Sequence, residues 1–149
     1  MLKYLTFLAL FGTIAAEVVK FKPCENSPIC TVNEVRFIPC KDPSMCKLKK
    51  GSLYSLSYDF TPNVTLDKLR AGFFWASETA DVPFPEMHNA DACQYTKCPI
   101  EDGKQQTFEY SLRLGKKLPR GQFTFKLKLW DETDETKACC FMTTVAITK

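Results

Sequence analysis

Apolar and polar residues alternate along most of this chain with a period of two. In YSLSYDF (54–60), Tyr54, Leu56, Tyr58 and Phe60 share one parity, and Ser55, Ser57 and Asp59 the other. QTFEYSLRL (106–114) sets Phe108, Tyr110, Leu112 and Leu114 against Thr107, Glu109, Ser111 and Arg113. QFTFKLKLW (122–130) sets Phe123, Phe125, Leu127 and Leu129 against Thr124, Lys126 and Lys128. In KLRAGFFWA (68–76), Leu69, Ala71, Phe73 and Trp75 keep one parity, although Phe74 breaks the polar face. Successive strand side chains point to opposite faces, so each run predicts a strand with one face buried and one wet. TVNEVRFI (31–38) and CFMTTVAI (140–147) supply a strand near each end. Turn formers separate the runs: KKG at 49–51, TPN at 61–63, a proline-rich loop DVPFPEMHN at 81–89, EDG at 101–103 and LPRG at 118–121. About seven strands and no sustained helical period predict an all-β fold, two antiparallel sheets packed as a sandwich.

An antibody-type domain would carry one cysteine on each sheet with a tryptophan between them. Here Cys40/Cys46 and Cys93/Cys98 cluster around turns instead, which predicts sheets left unstapled across the middle. The spacing of Cys93 and Cys98 is too wide for a Cys-x-x-Cys redox pair and the segment too poor in histidine for zinc, leaving a structural staple.

The first sixteen residues, MLKYLTFLALFGTIAA, place Lys3 ahead of an apolar run that ends in small residues. That pattern predicts a signal peptide over 1–16, cleaved after Ala15 or Ala16, because the run is shorter than the roughly 20 residues a membrane span needs. The rest, residues 17–149, has a length that suits one domain with a real core. The eight cysteines, Cys24, Cys30, Cys40, Cys46, Cys93, Cys98, Cys139 and Cys140, then read as a disulfide framework in an exported chain. Asn63-Val64-Thr65 is a glycosylation sequon on the same route, so Asn63 is a candidate for modification on an exposed turn.

A formal charge of +3, with lysines and acids interspersed as in KLWDETDETK, gives no basic stripe for nucleic acid. The single histidine, His88, lies in the proline loop with no Gly-x-Ser-x-Gly elbow nearby, so a hydrolytic triad is not expected. Carboxylates such as Asp81 and Glu86 cannot be set face to face from sequence alone. The expectation is a protein without catalysis, metal or cofactor.

Several phrases, in order, resemble one family: EVVKFKPC at the expected mature start, FIPC…MCKLKKG, VPFP…ACQYTKCPI and the closing CFMTTVAI. The chain resembles the Niemann-Pick C type 2 proteins of the ML, or lipid-recognition, domain family, which also holds the group 2 mite allergens. The resemblance implies an immunoglobulin-like sandwich whose sheets splay around an apolar pocket. It implies bridges Cys40–Cys46, Cys93–Cys98 and Cys24–Cys140; Cys30 and Cys139 exceed that pattern and are expected to pair with each other. It places Phe84, Leu114 and Leu118 on the pocket, with the Cys93–Cys98 staple and VPFP fixing its rim and Phe84 at its mouth. Sterol-transfer members look to carry an aromatic at the position of Leu118, so leucine suits a more general apolar ligand.

By default the inward aromatics are plain core; the resemblance turns the centre of the sandwich into a site. The expected function is a secreted monomeric carrier of a sterol, fatty acid or apolar signalling compound, working outside the cell or in an endosomal or lysosomal lumen. The alternative is a module that presents bound lipid to a receptor or membrane protein.

Overall fold

Eleven strands build two sheets in the computed structural model, which describes residues 17–149; the expected signal peptide lies outside the described residues. In chain order they are β1 (Glu17–Val18), β2 (Lys22–Pro23), β3 (Cys30–Ile38), β4 (Lys47–Lys49), β5 (Leu53–Pro62), β6 (Leu69–Trp75), β7 (Val82–Pro83), β8 (Ala90–Asp91), β9 (Gln106–Arg113), β10 (Gly121–Asp131) and β11 (Asp134–Thr148). The smaller sheet runs β1-β3-β5-β9 and the larger β2-β11-β10-β6-β7, with β4 and β8 attached to β11 and β6. All pairings are antiparallel except β4 with β11, which is parallel. Of the six long strands, β5, β6, β9 and β10 are the ones the period-two runs predict, and β3 and β11 are the strands expected near each end. The additions are two- and three-residue edge strands, too short to leave a period.

The inward parity of each long strand makes the core. Leu56, Tyr58 and Phe60 of β5, Phe108 and Leu112 of β9, and Phe125, Leu127 and Leu129 of β10 are all buried. In β3, Val32 and Val35 lie on opposite parities, yet both pack inward because the register with β5 shifts between Val32 and Glu34. A bulge there absorbs one residue and restores the face. Phe74 breaks the polar face of β6 because Gly72 precedes it by two. A Cβ on Gly72 would lie 2.6 Å from the Phe74 ring, so the bare backbone is the floor on which that outward ring lies.

Outside the smaller sheet, Arg36 donates two hydrogen bonds to the Asp59 carboxylate at 2.8 Å each and further ones to Glu34 and Ser57. The sheets themselves are joined. Cys30 opens β3 and Cys139 lies within β11, so their bridge (Cα–Cα 5.3 Å) ties one sheet to the other. This is the pairing expected of Cys30 and Cys139, and it joins the sheets at the end where Cys30 meets Pro62, not across the middle. Cys24–Cys140 sits next to it, and Cys40–Cys46 and Cys93–Cys98 close local loops.

Candidate ligand-binding site

The registers divide the sandwich into two ends. Cys30 pairs with Pro62, and Cys139 with Leu129, which in turn pairs with Ala71 near the start of β6. The Cys93–Cys98 loop joins them there, since β8 pairs with Arg70 and Ala71 just before it. Three of the four bridges therefore hold one end. At the other end β6 finishes at Trp75, β10 begins at Gly121, and residues 114–120 cross from the smaller sheet to the larger.

An aromatic group fills that second end. Phe84 stacks on Trp75 at 4.9 Å between centroids and 19° between planes. It lies 4.6 Å from Phe73 and 5.6 Å from Phe125, while Trp75 meets Phe123 edge-on at 4.7 Å. The local sequence explains the placement. Pro83 and Pro85 stiffen the backbone on either side, and the Phe84 amide donates to the Phe73 carbonyl at 2.8 Å, so the ring is turned inward against β6.

Leu114 follows β9 and is buried, fixed by backbone hydrogen bonds in both directions with Gly51 and Ser52. Leu118 is half-buried against the same core, in the 114–120 crossing. The structure thus brings Phe84, Leu114 and Leu118 to one end of one core. Phe84 is only 7% exposed, however, and lies under Trp75 rather than open at a mouth. The Cys93–Cys98 staple is also not beside it. Phe73 and Arg70 are separated by three strand residues, about 10 Å, so the staple anchors the exit of the 84–91 segment and not a rim at Phe84. His88 is exposed, its ring 6.4 Å from that of the outward Phe74. Asn63 is exposed and its amide donates to the Pro28 carbonyl at 2.8 Å.

Two features were not singled out from the sequence as parts of a site. The first is charge at the open end. Lys49, Lys50, Arg113, Lys116, Lys117 and Arg120 surround Leu114 in sequence or through the turn hydrogen-bonded to it, and segments 47–54 and 111–123 contain no acid. Tallying the charges of those two segments separately would have found it. The second is Tyr58. Its inward phenol is fully buried, touched by Phe60, Phe108 and Phe141 at 4.9–5.7 Å, and its hydroxyl has no hydrogen-bond partner among the described residues. Burial pushes the phenol well above its usual pKa, so it stays neutral. A buried hydroxyl left unpaired costs about 1–3 kcal/mol. By contrast Tyr54, on the same face, accepts from the Lys49 amide at 2.6 Å.

Clefts open elsewhere on the surface. One of about 1180 Å³ runs past the Cys24 and Cys30 bridges and is lined by Phe21, Pro28, Val32, Lys128 and Glu135 among others. It is open and polar along one wall, unlike the aromatic end.

Comparison with known proteins matches these features to a family. The ML domain model matches residues 18–147. An MD-2-related lipid-recognition protein of Manduca sexta is 46% identical over 151 residues, spanning 99% of this chain and 98% of that protein. NPC intracellular cholesterol transporter 2 of Bos taurus is 31% identical over 134 residues, 89% of this chain and 88% of that one. A solved Niemann-Pick type C2 protein from the Japanese carpenter ant superimposes with a TM-score of 0.75 over 87% of this chain and 99% of its own, at 22% identity, a likeness of fold.

Proposed function

This chain belongs to the ML-domain family, and from that premise we propose that it is a carrier holding one hydrophobic small molecule between its two sheets. The observation that carries the reading is the end of the sandwich at Trp75, where aromatic rings from β6, β10 and the proline loop meet on the β6 side, while the chain crosses between the sheets at 114–120 and, on the β11 side, at 39–46 and 50–52. Rings in contact with one another can part and close on an apolar guest at little polar cost, which a hydrogen-bonded interior could not do. The relatives' names, a lipid-recognition protein and a cholesterol transporter, point the same way.

Phe84, Leu114 and Leu118 are the proposed wall, and a sterol, a fatty acid or another apolar compound the cargo. Binding is non-covalent. A guest of about 25 heavy atoms at about 0.3 kcal/mol each gains about 7.5 kcal/mol, a dissociation constant in the low micromolar range. Four disulfides suit the secreted or lumenal compartment that an N-terminal signal peptide would give.

Leu114→Phe and Leu118→Trp test the reading, since both keep the wall apolar while occupying guest space. In a permanently filled core added bulk costs about 1–3 kcal/mol of stability. In a carrier the fold should survive, with a thermal midpoint lower by only a few degrees, while affinity for a fluorescent sterol or fatty-acid probe falls at least about tenfold, or about 1.4 kcal/mol. Variants that unfold readily, beside a wild type that binds no probe, would reduce these positions to ordinary core.

A further inference from the structure

Asn63 is the one asparagine of this chain that heads a glycosylation sequon. Asn26, Asn33 and Asn89 are followed by Ser-Pro, Glu-Val and Ala-Asp, whereas Asn63 is followed by Val64 and Thr65. The fold presents it to solvent. Val64 packs against the core, and its neighbours Asn63 and Thr65 are both exposed in the turn that follows β5.

The two groups of the sequon are held differently. The Asn63 side-chain amide has two hydrogens, and one of them is donated to the Pro28 carbonyl at 2.8 Å. The other can be replaced by a sugar without breaking that bond. The Thr65 hydroxyl, which the acceptor sequence requires, accepts from the Asp102 amide at 3.2 Å, across 37 residues of chain. It is therefore engaged in the folded protein and accessible in a growing chain, before 101–103 folds back onto it.

The sequon lies at the end of the sandwich away from Trp75. Asn63 follows Pro62, the partner of Cys30, and its backbone amide donates to the Ile29 carbonyl at 3.0 Å. It thus stands beside segment 24–31, which supplies one wall of the cleft of about 1180 Å³. Asn26, Ser27 and Thr31 give that wall amide and hydroxyl groups, and Pro28 gives it an apolar ring. A pyranose, with hydroxyls around an apolar ring face, matches such a surface.

We propose that Asn63 carries an N-linked oligosaccharide whose first sugars lie over Pro28 and the 26–31 wall of this cleft. In the transfer, the Asn63 amide nitrogen bonds to the anomeric carbon of a polyisoprenyl-diphosphate-linked oligosaccharide and loses one proton. The bond from that carbon to the diphosphate oxygen breaks, and the diphosphate leaves. The inference rests on passage through the secretory lumen, which the four disulfides suit. It gives one wall of the cleft a covalent cover and keeps bulky carbohydrate off the Trp75 end.

Secretion of the full chain from a mammalian cell line tests this. The secreted protein should exceed the mass of its bare polypeptide, and peptide-N-glycosidase F should remove the excess and convert Asn63 to aspartate, read by peptide mapping. Asn63→Gln and Thr65→Ala should both be secreted without that excess. Amide exchange across 26–31 should be at least about twofold slower in the glycoprotein than after enzymatic release, and unchanged across 114–121. Wild type secreted at the mass of the bare polypeptide would overturn the assignment, whatever the variants do. A glycan on Asn63 with identical exchange across 26–31 before and after release would overturn its placement over the cleft. A chain retained in the cytosol would overturn the secretory reading and this inference with it.

Discussion

Arg36 and Asp59 show how far a single pair can be taken. Two parallel hydrogen bonds at 2.8 Å join them on the outer face, and the Thr107 hydroxyl adds a third to the same carboxylate at 2.6 Å. The Arg36 guanidinium holds the Asp59 carboxyl below the usual carboxylate range, against a smaller opposing effect of partial burial. A carboxyl whose pKa is lower folded than unfolded stabilises the fold above its unfolded value, near 3.9, and loses that contribution as pH falls through the folded value. Asp59→Asn should therefore cost about 1 kcal/mol, a few degrees in thermal midpoint, and the gap to wild type should be flat from about pH 5 to pH 8. Melting curves that keep the same gap at about pH 2 would show that the pair contributes through shape rather than charge. His88 is the contrasting residue. It faces solvent and the outward Phe74, away from the aromatic end, so His88→Gln should leave probe affinity within about twofold at both neutral and mildly acid pH. A larger change at one pH alone would make His88 part of a release mechanism.

At the scale of elements, the neighbouring bridges Cys24–Cys140 and Cys30–Cys139 close almost the same long loop, with separations of 116 and 109 residues. Either bond alone limits the unfolded chain as a loop of that size, worth about 4.7 kcal/mol on the chain-entropy account. Once one is in place the second closes only about eight further residues and adds about 2.5 kcal/mol. Replacing Cys30 and Cys139 by serine should thus cost about 2.5 kcal/mol in urea unfolding, and removing both bridges about 7 kcal/mol, more than twice the single loss. Equal and additive losses would mean that the bridges act through native packing instead. The strands β5, β6, β9 and β10 were legible in sequence because one parity of each is apolar along its length. The edge strands were not: β1, β2, β7 and β8 have two residues each, below any period. The bulge in β3 hid its parity, since Val32 and Val35 point the same way only after one residue is absorbed. Phe84 was legible as a candidate wall residue through the phrase VPFP, but its burial under Trp75 was not, because that depends on which strand the proline loop pairs with.

For the molecule as a whole, the distribution of bonds says where it opens. Three disulfides, the Cys93–Cys98 loop among them, hold the end that contains Pro62, Ala71 and Leu129. The Trp75 end is closed on its β6 side by ring contacts and the 114–120 crossing, the 39–46 and 50–52 crossings and the Cys40–Cys46 loop lying on its β11 side. Contacts without hydrogen bonds or covalent ties are the first to part, and local opening draws on the least protected segments. Admitting a guest should therefore separate the sheets at Trp75 while Cys30–Cys139 acts as the hinge. Two measurements follow from this picture. Amide exchange without ligand should be faster in 82–87 and 114–121 than in β3, β5 and β11, and a bound sterol or fatty-acid probe should slow those two segments most. The two tryptophans separate the ends further, since Trp75 belongs to the aromatic end, whereas Trp130 lies beside Gly72 with Lys128 5.3 Å from its ring. With Trp130→Phe leaving Trp75 as the sole reporter, ligand should shift its emission. If ligand binds and both the Trp75 emission and the protection of 82–87 and 114–121 stay as they were, the guest sits elsewhere, and the cleft lined by Phe21, Val32 and Lys128 becomes the place to look.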